Sequence, residues 1–430
     1  MVTFVVVVTE SFKEAVLFFL EWWWFFTPLV LWTIFELAWV NYIQERYFRK
    51  IKWSLVEIKI PKEVEKRPKT MEEFFSAIYS SYGVAIDTIY DVYLKGILDI
   101  WFSLEIVSVA GDIRYYIRSP IKNLEMIESQ IYAQYPDAEI KEVDDYVTDL
   151  PDNIPSDDYE LWGTDMTLKR DDAYPIRTYK DFEDVASGEF VDPMSNIIEG
   201  VDKLQEGEQI WVQILIRAIG DGWKEDANDL VMSLIGRDNK KDKKKDGIIA
   251  FFVSEIVDLG RYVILGFFHP QSILEQSDKV QEKEVLSMML HLSPGEKEVV
   301  TKIQESTNKP GFETDIRWLY IAKKDIFNKT KGNAITFSYF SQFAYQDLNA
   351  LVPDAKTKTS AYYFLTNYRK AWKKKKILRR YKRREFNQMS YVLNVEELAT
   401  LFHFPTFEVT APVAPRVEAK RGKPPSGLPI

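Results

Sequence analysis

The sequence predicts an α+β protein with one N-terminal transmembrane helix. Two small domains of split β-α-β type follow, the second carrying a long helical insertion. Three observations predict this. Trp22–Ile43 is a single apolar, aromatic run of membrane-crossing length. Between residues 51 and 150, segments alternate as strand, helix, strand, strand, helix, strand. The same element types recur over 191–368, interrupted at 237–292 by a basic and then apolar stretch.

The first run reads WWWFFTPLVLWTIFELAWVNYI. One helical crossing needs about 20 apolar residues. Trp22, Trp23 and Trp24 at one end, and Tyr42 and Tyr47 at the other, suit the two water–lipid boundaries. Arg46, Arg49, Lys50 and Lys52 follow, and such flanks stay on the cytoplasmic side. The expectation is a single-pass protein of the inner (cytoplasmic) membrane, with its transmembrane helix at 22–45 and its main domains cytoplasmic. Pro28 falls near the first turn, where a missing N–H costs least. Glu36 is costly in a span and calls for a partner helix or a proton. The competing reading is a hydrophobic core helix. A cleaved signal peptide fits less well, because only Lys13 precedes the run and no small-residue cleavage site follows. Residues 1–21 form a short leading segment.

Trp53–Ile60 is rich in strand formers, and Thr70 opens a helix over Met71–Tyr82 with Glu72 and Glu73 in its first turn. Leu104–Val109 and Ile113–Arg118 read as a hairpin around Ala110-Gly111-Asp112, with Gly111-Asp112 suited to a primed turn. Leu124, Ile127, Ile131 and Tyr135 have helical spacing, and Ala138–Val143 alternates as a strand. That order is the split β-α-β-β-α-β unit of ferredoxin-like domains, here over 51–150. Residues 151–190 form an acidic connector. Its neighbourhood holds the pairs Asp144-Asp145, Asp157-Asp158 and Asp171-Asp172; sequence neighbours point in different directions, so these read as solvated charge. In the second domain, Ile210, Val212, Ile214 and Ile216 share one face of a strand, and Trp211, Gln213, Leu215 and Arg217 the other. Trp223–Leu234, Pro294–Ile303 and Ile326–Tyr345 read as helices and Ile316–Ala322 as a strand. Within the insertion, basic Lys240–Asp246 leads into Gly247–Pro270, which suits either a membrane-surface helix or one buried against a partner.

Composition closes several routes to catalysis. The 430 residues contain no cysteine, which excludes disulfides, zinc–thiolate sites and cysteine nucleophiles. His269, His291 and His403 are the only histidines and lie far apart. No phosphate loop, G-x-S-x-G elbow, H-E-x-x-H or G-x-G-x-x-G occurs. The expectation is a non-enzyme without cofactor or metal. The net charge of −9 argues against nucleic-acid binding by bulk charge.

Local charge points elsewhere. Residues 369–384 read RKAWKKKKILRRYKRR. Arg369, Lys370, Trp372, Lys373, Lys374, Lys375, Lys376, Arg379, Arg380, Lys382, Arg383 and Arg384 are the candidate contacts to phosphate, in a nucleic acid or in lipid. Cations neutralise phosphates, and interleaved Trp372 and Tyr381 could stack on unpaired bases. Docking of an acidic partner, or simple solvation, is the plainer alternative. Asn394–Leu401 reads as a short helix capped by Asn394, within a segment 369–410. Residues 411–430 form a proline-rich, basic tail.

Six stretches carry a resemblance: LVEIKIP (Leu55–Pro61), IESQIYAQYPDAEIKEVDDY (Ile127–Tyr146), GEQIWVQILIR (Gly207–Arg217), LSPGEKEVV (Leu292–Val300), ELATLFHFP (Glu397–Pro405) and KPPSGLP (Lys423–Pro429). Together they resemble an uncharacterised membrane-protein family of candidate-phyla (Patescibacteria-type) bacteria. That family is similar to the N-terminal, non-motor part of type IV secretion and conjugation ATPases of the HerA/FtsK superfamily. The resemblance implies an oligomeric accessory or platform protein for such an ATPase, in contact with membrane lipid and with DNA. It also implies a motor on another polypeptide or outside this stretch, because the phosphate loop is absent. The alternative function is a structural envelope protein that holds anionic lipid through the basic stretch.

Overall fold

The computed structural model describes residues 24, 27–28, 31–61, 66–82, 90–97, 100–183, 190–235, 292–363, 365–386 and 390–405. The expectations for residues 1–21, Trp22, Trp23, Lys240–Asp246, Gly247–Pro270 and 411–430 lie outside them.

Nine strands form one sheet. They are Trp53–Lys59 (β1), Phe102–Val109 (β2), Asp112–Pro120 (β3), Glu139–Glu142 (β4), Tyr159–Leu168 (β5), Glu208–Ala218 (β6), Gly311–Lys323 (β7), Leu351–Pro353 (β8) and Tyr391–Asn394 (β9). The order is β4-β1-β3-β2-β6-β7-β5-β8, with β9 beside the start of β7. Every pairing is antiparallel. The helices are residues 31–48 (α1), Lys69–Tyr82 (α2), Leu124–Gln134 (α3), Ser195–Asp202 (α4), Gly222–Leu234 (α5), Pro294–Thr307 (α6), Lys329–Ser341 (α7), Thr366–Arg383 (α8) and Val395–Leu401 (α9).

Both faces of the sheet are covered, and the strand sequences show why. In β6, Ile210, Val212, Ile214 and Ile216 alternate with Trp211, Gln213 and Leu215, and all are buried. The first set joins a core with Phe74 and Phe75 of α2, Ile127 and Ile131 of α3, Ile197 and Ile198 of α4, Tyr339 and Phe340 of α7, and Leu398 of α9. The opposite face packs Val107, Trp211, Leu319 and Ile321 against Ile377, Leu378 and Tyr381 of α8, and against Val147, Leu150 and Ile154. Local signals set the helix ends. Asn394 caps α9 by accepting from the Glu396 and Glu397 amides at 2.8 and 2.9 Å, as its sequence suggests. The β2–β3 turn falls on Ala110 (φ 51°) and Gly111 (φ 91°), so the primed turn lies one residue earlier than expected.

Two compact units are present: residues 1–220 with 309–430, and Asp221–Asn308. The sheet belongs to the first. The second holds α5 and α6; Ser293 and Glu296 close a capping box at the start of α6.

Two expectations are corrected here. The two separate ferredoxin-like domains give way to one continuous sheet. β2 pairs β6 along its whole length, from Phe102↔Ile216 to Val109↔Gln209. An apolar strand such as either of these, left as an edge, would invite unwanted pairing, and joining them removes both edges. The transmembrane expectation also fails: among the described residues no helix is long and apolar enough to cross a membrane. A single-pass inner-membrane protein is therefore not supported. The helical stretch 31–48 includes Glu36, Glu45 and Arg46. It also has a protein partner: Glu36 accepts a hydrogen bond from the Tyr93 hydroxyl, and the Trp39 indole donates to the Tyr93 carbonyl at 2.9 Å.

Candidate functional site: the outer face of a cationic helix

The basic run is a helix, α8, lying on the sheet. A helix turns about 100° per residue, so neighbours in sequence part company. Ile377, Leu378 and Tyr381 face inward and are buried. Gly163 of β5 leaves room beneath it for β7: a Cβ there would meet Leu319 Cδ2 at 2.4 Å and the Trp318 carbonyl at 2.9 Å, with Ile377 Cδ1 of α8 at 3.4 Å, in ordinary contact.

Beneath α8 runs a buried polar row across four strands. Glu105 of β2 sits opposite Gln213 of β6, Gln213 opposite Arg317 of β7, and Arg317 opposite Asp165 of β5. All four are fully buried. Gln213 Nε2 donates to Glu105 at 3.0 Å, and Arg317 donates to Gln213 at 2.7 Å and to Asp165 and Asp315 at 2.8 Å each. The arginines at the C-terminal end of α8 complete the row. Arg380 donates to Asp165 at 2.6 Å, and Arg384 to Glu105 at 2.9 Å and to Asp145 at 2.8 Å. Buried charges are tolerated only when paired and hydrogen-bonded in this way. Burial alone would push the Glu105 carboxyl up, but Arg384, aided by Ser103 and Tyr146, overrides it and holds the group down at about 2. The same two carboxylates, Glu105 and Asp145, raise the Arg384 guanidinium against its burial.

The twelve candidate residues are thus sorted, with Lys370 half-buried near Lys329. Lys373 donates to the carbonyls of Lys358 and Ser360, Lys374 pairs with Glu160 at 2.8 Å, and Lys382 pairs with Asp152 at 3.1 Å. With Arg380 and Arg384, these are structural cations turned toward the protein. Tyr381, read as a stacking residue, is fully buried and shares a 2.7 Å hydrogen bond with Tyr146. Arg369, Trp372, Lys375, Lys376, Arg379 and Arg383 are exposed. Their spacing puts them, with Tyr368, on an arc of about 120°. Arg383 shares an exposed ion pair with Glu385, and Lys376 lies 5.0 Å over the Trp372 ring. Among the described residues, Lys375 and Arg379 make no ion pair.

The structure adds residues that the sequence did not flag. Tyr362, Tyr363 and Tyr368 are 71, 84 and 71 % exposed beside Trp372 at 54 %. Tyr363 and Leu365 hold left-handed backbone, φ 67° and 51°, where non-glycine residues are strained. Burial and the nearby cations Lys358, Lys370 and Lys374 lower the Lys329 ammonium, so positive charge is crowded at this end of α8. Runs of exposed tyrosine beside the basic stretch (YYFLTNY) were the available signal.

Among the described residues no group of three or more histidine, aspartate or glutamate side chains could hold a metal ion. His403 is fully buried and meets Asp192 at 2.8 Å and the Ala399 carbonyl at 2.9 Å, so its contacts tie α9 to the core.

Fold and site together define a class: a single-sheet α+β protein that displays one cationic, aromatic helix face. The chain belongs to the family of the domain of unknown function DUF8128, which matches residues 44–415. No curated protein matches the chain.

Proposed function

We propose that the protein is a non-catalytic scaffold that holds DNA along the outer face of α8, as an accessory subunit to a HerA/FtsK-type ATPase. The observation that carries the DNA part is the sorting of α8. Its inner cations Lys374, Arg380 and Arg384 are paired with Glu160, Asp165, Glu105 and Asp145, whereas Arg369, Lys375, Lys376, Arg379 and Arg383 share one exposed face with Trp372 and Tyr368. Cations on a rigid comb meet phosphates, and exposed rings stack on unpaired bases at about 1–3 kcal/mol each. The ATPase partner rests on the resemblance of six stretches, ELATLFHFP and KPPSGLP among them, to a family similar to the non-motor part of such ATPases.

The test is fluorescence anisotropy with a labelled single-stranded oligodeoxynucleotide over a salt series. Combining Lys375→Glu, Lys376→Glu and Arg379→Glu removes three phosphate contacts and should flatten the log–log salt slope by about 2. Unchanged affinity and slope remove the DNA role. Absence of DNA binding, with phosphatidylglycerol vesicle binding that the triple variant loses, would assign the face to lipid instead.

A further inference from the structure

A second cationic–aromatic site lies apart from α8. Residues 90–97, including the single π-helical turn Asp91–Lys95, dock against α1. The docking is close: a Cβ on Gly96 would meet Ile43 Cγ2 at 2.3 Å, and Gly96 takes φ 65°, which glycine adopts freely. Between the two segments opens a cleft of about 540 Å3 whose lining includes the apolar Trp39, Tyr42, Ile43, Leu94 and Ile97 and the cations Arg46, Lys50 and Lys95. That volume falls within the usual range for small-molecule sites.

The apolar part of the cleft continues outward. Trp32, Phe35, Trp39 and Tyr42 follow one another along α1 with ring centroids 6.1–6.2 Å apart. Leu31, Trp32, Ile34, Phe35 and Leu37 are each more than half exposed. Positive charge lies at one end of this strip, and the carboxylate within it, Glu36, is tied to the Tyr93 hydroxyl. Lys95 is held by Asp91 at 2.8 Å, whereas Arg46 and Lys50 are exposed and make no ion pair among the described residues. An apolar track that ends in two cations unpaired among the described residues is complementary to a molecule with an apolar tail and an anionic head.

We propose that this cleft binds an anionic amphiphile, with its phosphate between Arg46 and Lys50 and its hydrocarbon along Trp39, Phe35 and Trp32. The proposal concerns a groove on the protein surface, requires no crossing of a bilayer, and is independent of the DNA role of α8. Tyr42 and Leu94, 58 and 62 % exposed, become covered on binding.

The probe is monomeric dihexanoyl-phosphatidylglycerol, titrated into the full chain below its micelle concentration by calorimetry. Dihexanoyl-phosphatidylcholine and glycerol 1-phosphate serve as comparisons. The anionic lipid should bind saturably, the zwitterionic lipid should bind more weakly, and the headgroup alone should not bind. Combining Arg46→Glu with Lys50→Glu, both on exposed residues, should weaken phosphatidylglycerol binding about ten-fold or more. The α8 triple variant should bind the lipid as the wild type does. Equal affinity for the two lipids, retained binding in the Arg46/Lys50 variant, or equally tight binding of glycerol 1-phosphate would overturn the proposal. The last result would assign a free-phosphate site instead.

Discussion

Replacing Arg384 with alanine should cost about 3–5 kcal/mol, because Glu105 stays behind as a buried carboxylate without its partner. Arg384 reaches Glu105 with Nε at 2.9 Å and Nη2 at 3.1 Å, and both side chains are 1 % exposed or less. A second route gives a similar magnitude. Glu105 is lowered from 4.5 to about 2, which corresponds to about 3 kcal/mol of preference for the charged form. Arg384→Ala therefore removes a large share of a typical domain stability of about 5–15 kcal/mol. Urea unfolding followed by the fluorescence of the buried Trp162, Trp211 and Trp318 reads the loss. The pH profile adds a change of sign. In the wild type the Glu105 contribution is full above pH 4.5 and is lost as pH falls toward about 2. In the variant, burial without Arg384 raises the carboxyl, so acidification through its new pKa stabilises the fold. A loss under about 1 kcal/mol, the range of an exposed ion pair, together with an unaltered acid profile, would refute the buried-row account.

Two more outcomes follow from the same geometry. Gly163→Ala drives a methyl into the Leu319 side chain and the Trp318 carbonyl of β7, and should cost about 1–3 kcal/mol by thermal melting; a neutral result means that Leu319 and the β7 backbone yield to it. Glu397 is fully buried, and that burial, with Glu396 and Asp172 nearby, pushes its carboxyl up to about 8 despite the amides of Asn394 and Ile176. Its folded pKa lies above the unfolded value, so the stability it brings is full below pH 4.5 and fades as pH rises through about 8. The melting temperature should decline between pH 5 and 8 in the wild type, and Glu397→Gln should flatten that decline. Identical slopes would show that Glu397 does not titrate there.

The elements legible in the sequence were those whose signals are local. The alternation of Ile210–Ile216 set the faces of β6, and Asn394 set the start of α9. β5 was hidden, because Tyr159–Leu168 lies inside the acidic stretch and carries Gly163 and Asp165 at core positions. Asp165 can be buried only because Arg317 and Arg380 reach it, and those residues are 152 and 215 positions away. Spacing within one segment cannot reveal partners at that distance. The fusion of the two halves was equally invisible, since β2 and β6 read alike as an edge or as an interior strand. At α8 the cations masked a helical period that Ile377, Leu378 and Tyr381 do carry.

The buried row and the exposed comb are two faces of one helix, and the first conditions the second. An isolated helix crowded with lysine and arginine repels itself, since like charges at i, i+4 destabilise it by a few tenths of a kcal/mol per pair. Here Lys374, Arg380, Lys382 and Arg384 are drawn onto Glu160, Asp165, Asp152, Glu105 and Asp145, which neutralises the inner charge and pins α8 from its middle to its C-terminal end. The outer cations are then presented on a backbone that no longer has to be ordered by the ligand. Binding to a preset comb escapes much of the ordering cost that a flexible basic tail would incur. Arg384→Ala should therefore weaken polyanion binding although Arg384 touches no solvent. Lys375→Glu should weaken it without lowering stability by more than about 0.5 kcal/mol. If both variants lost binding only in proportion to the charge removed, the comb would be electrostatic alone and the buried row would have no part in recognition.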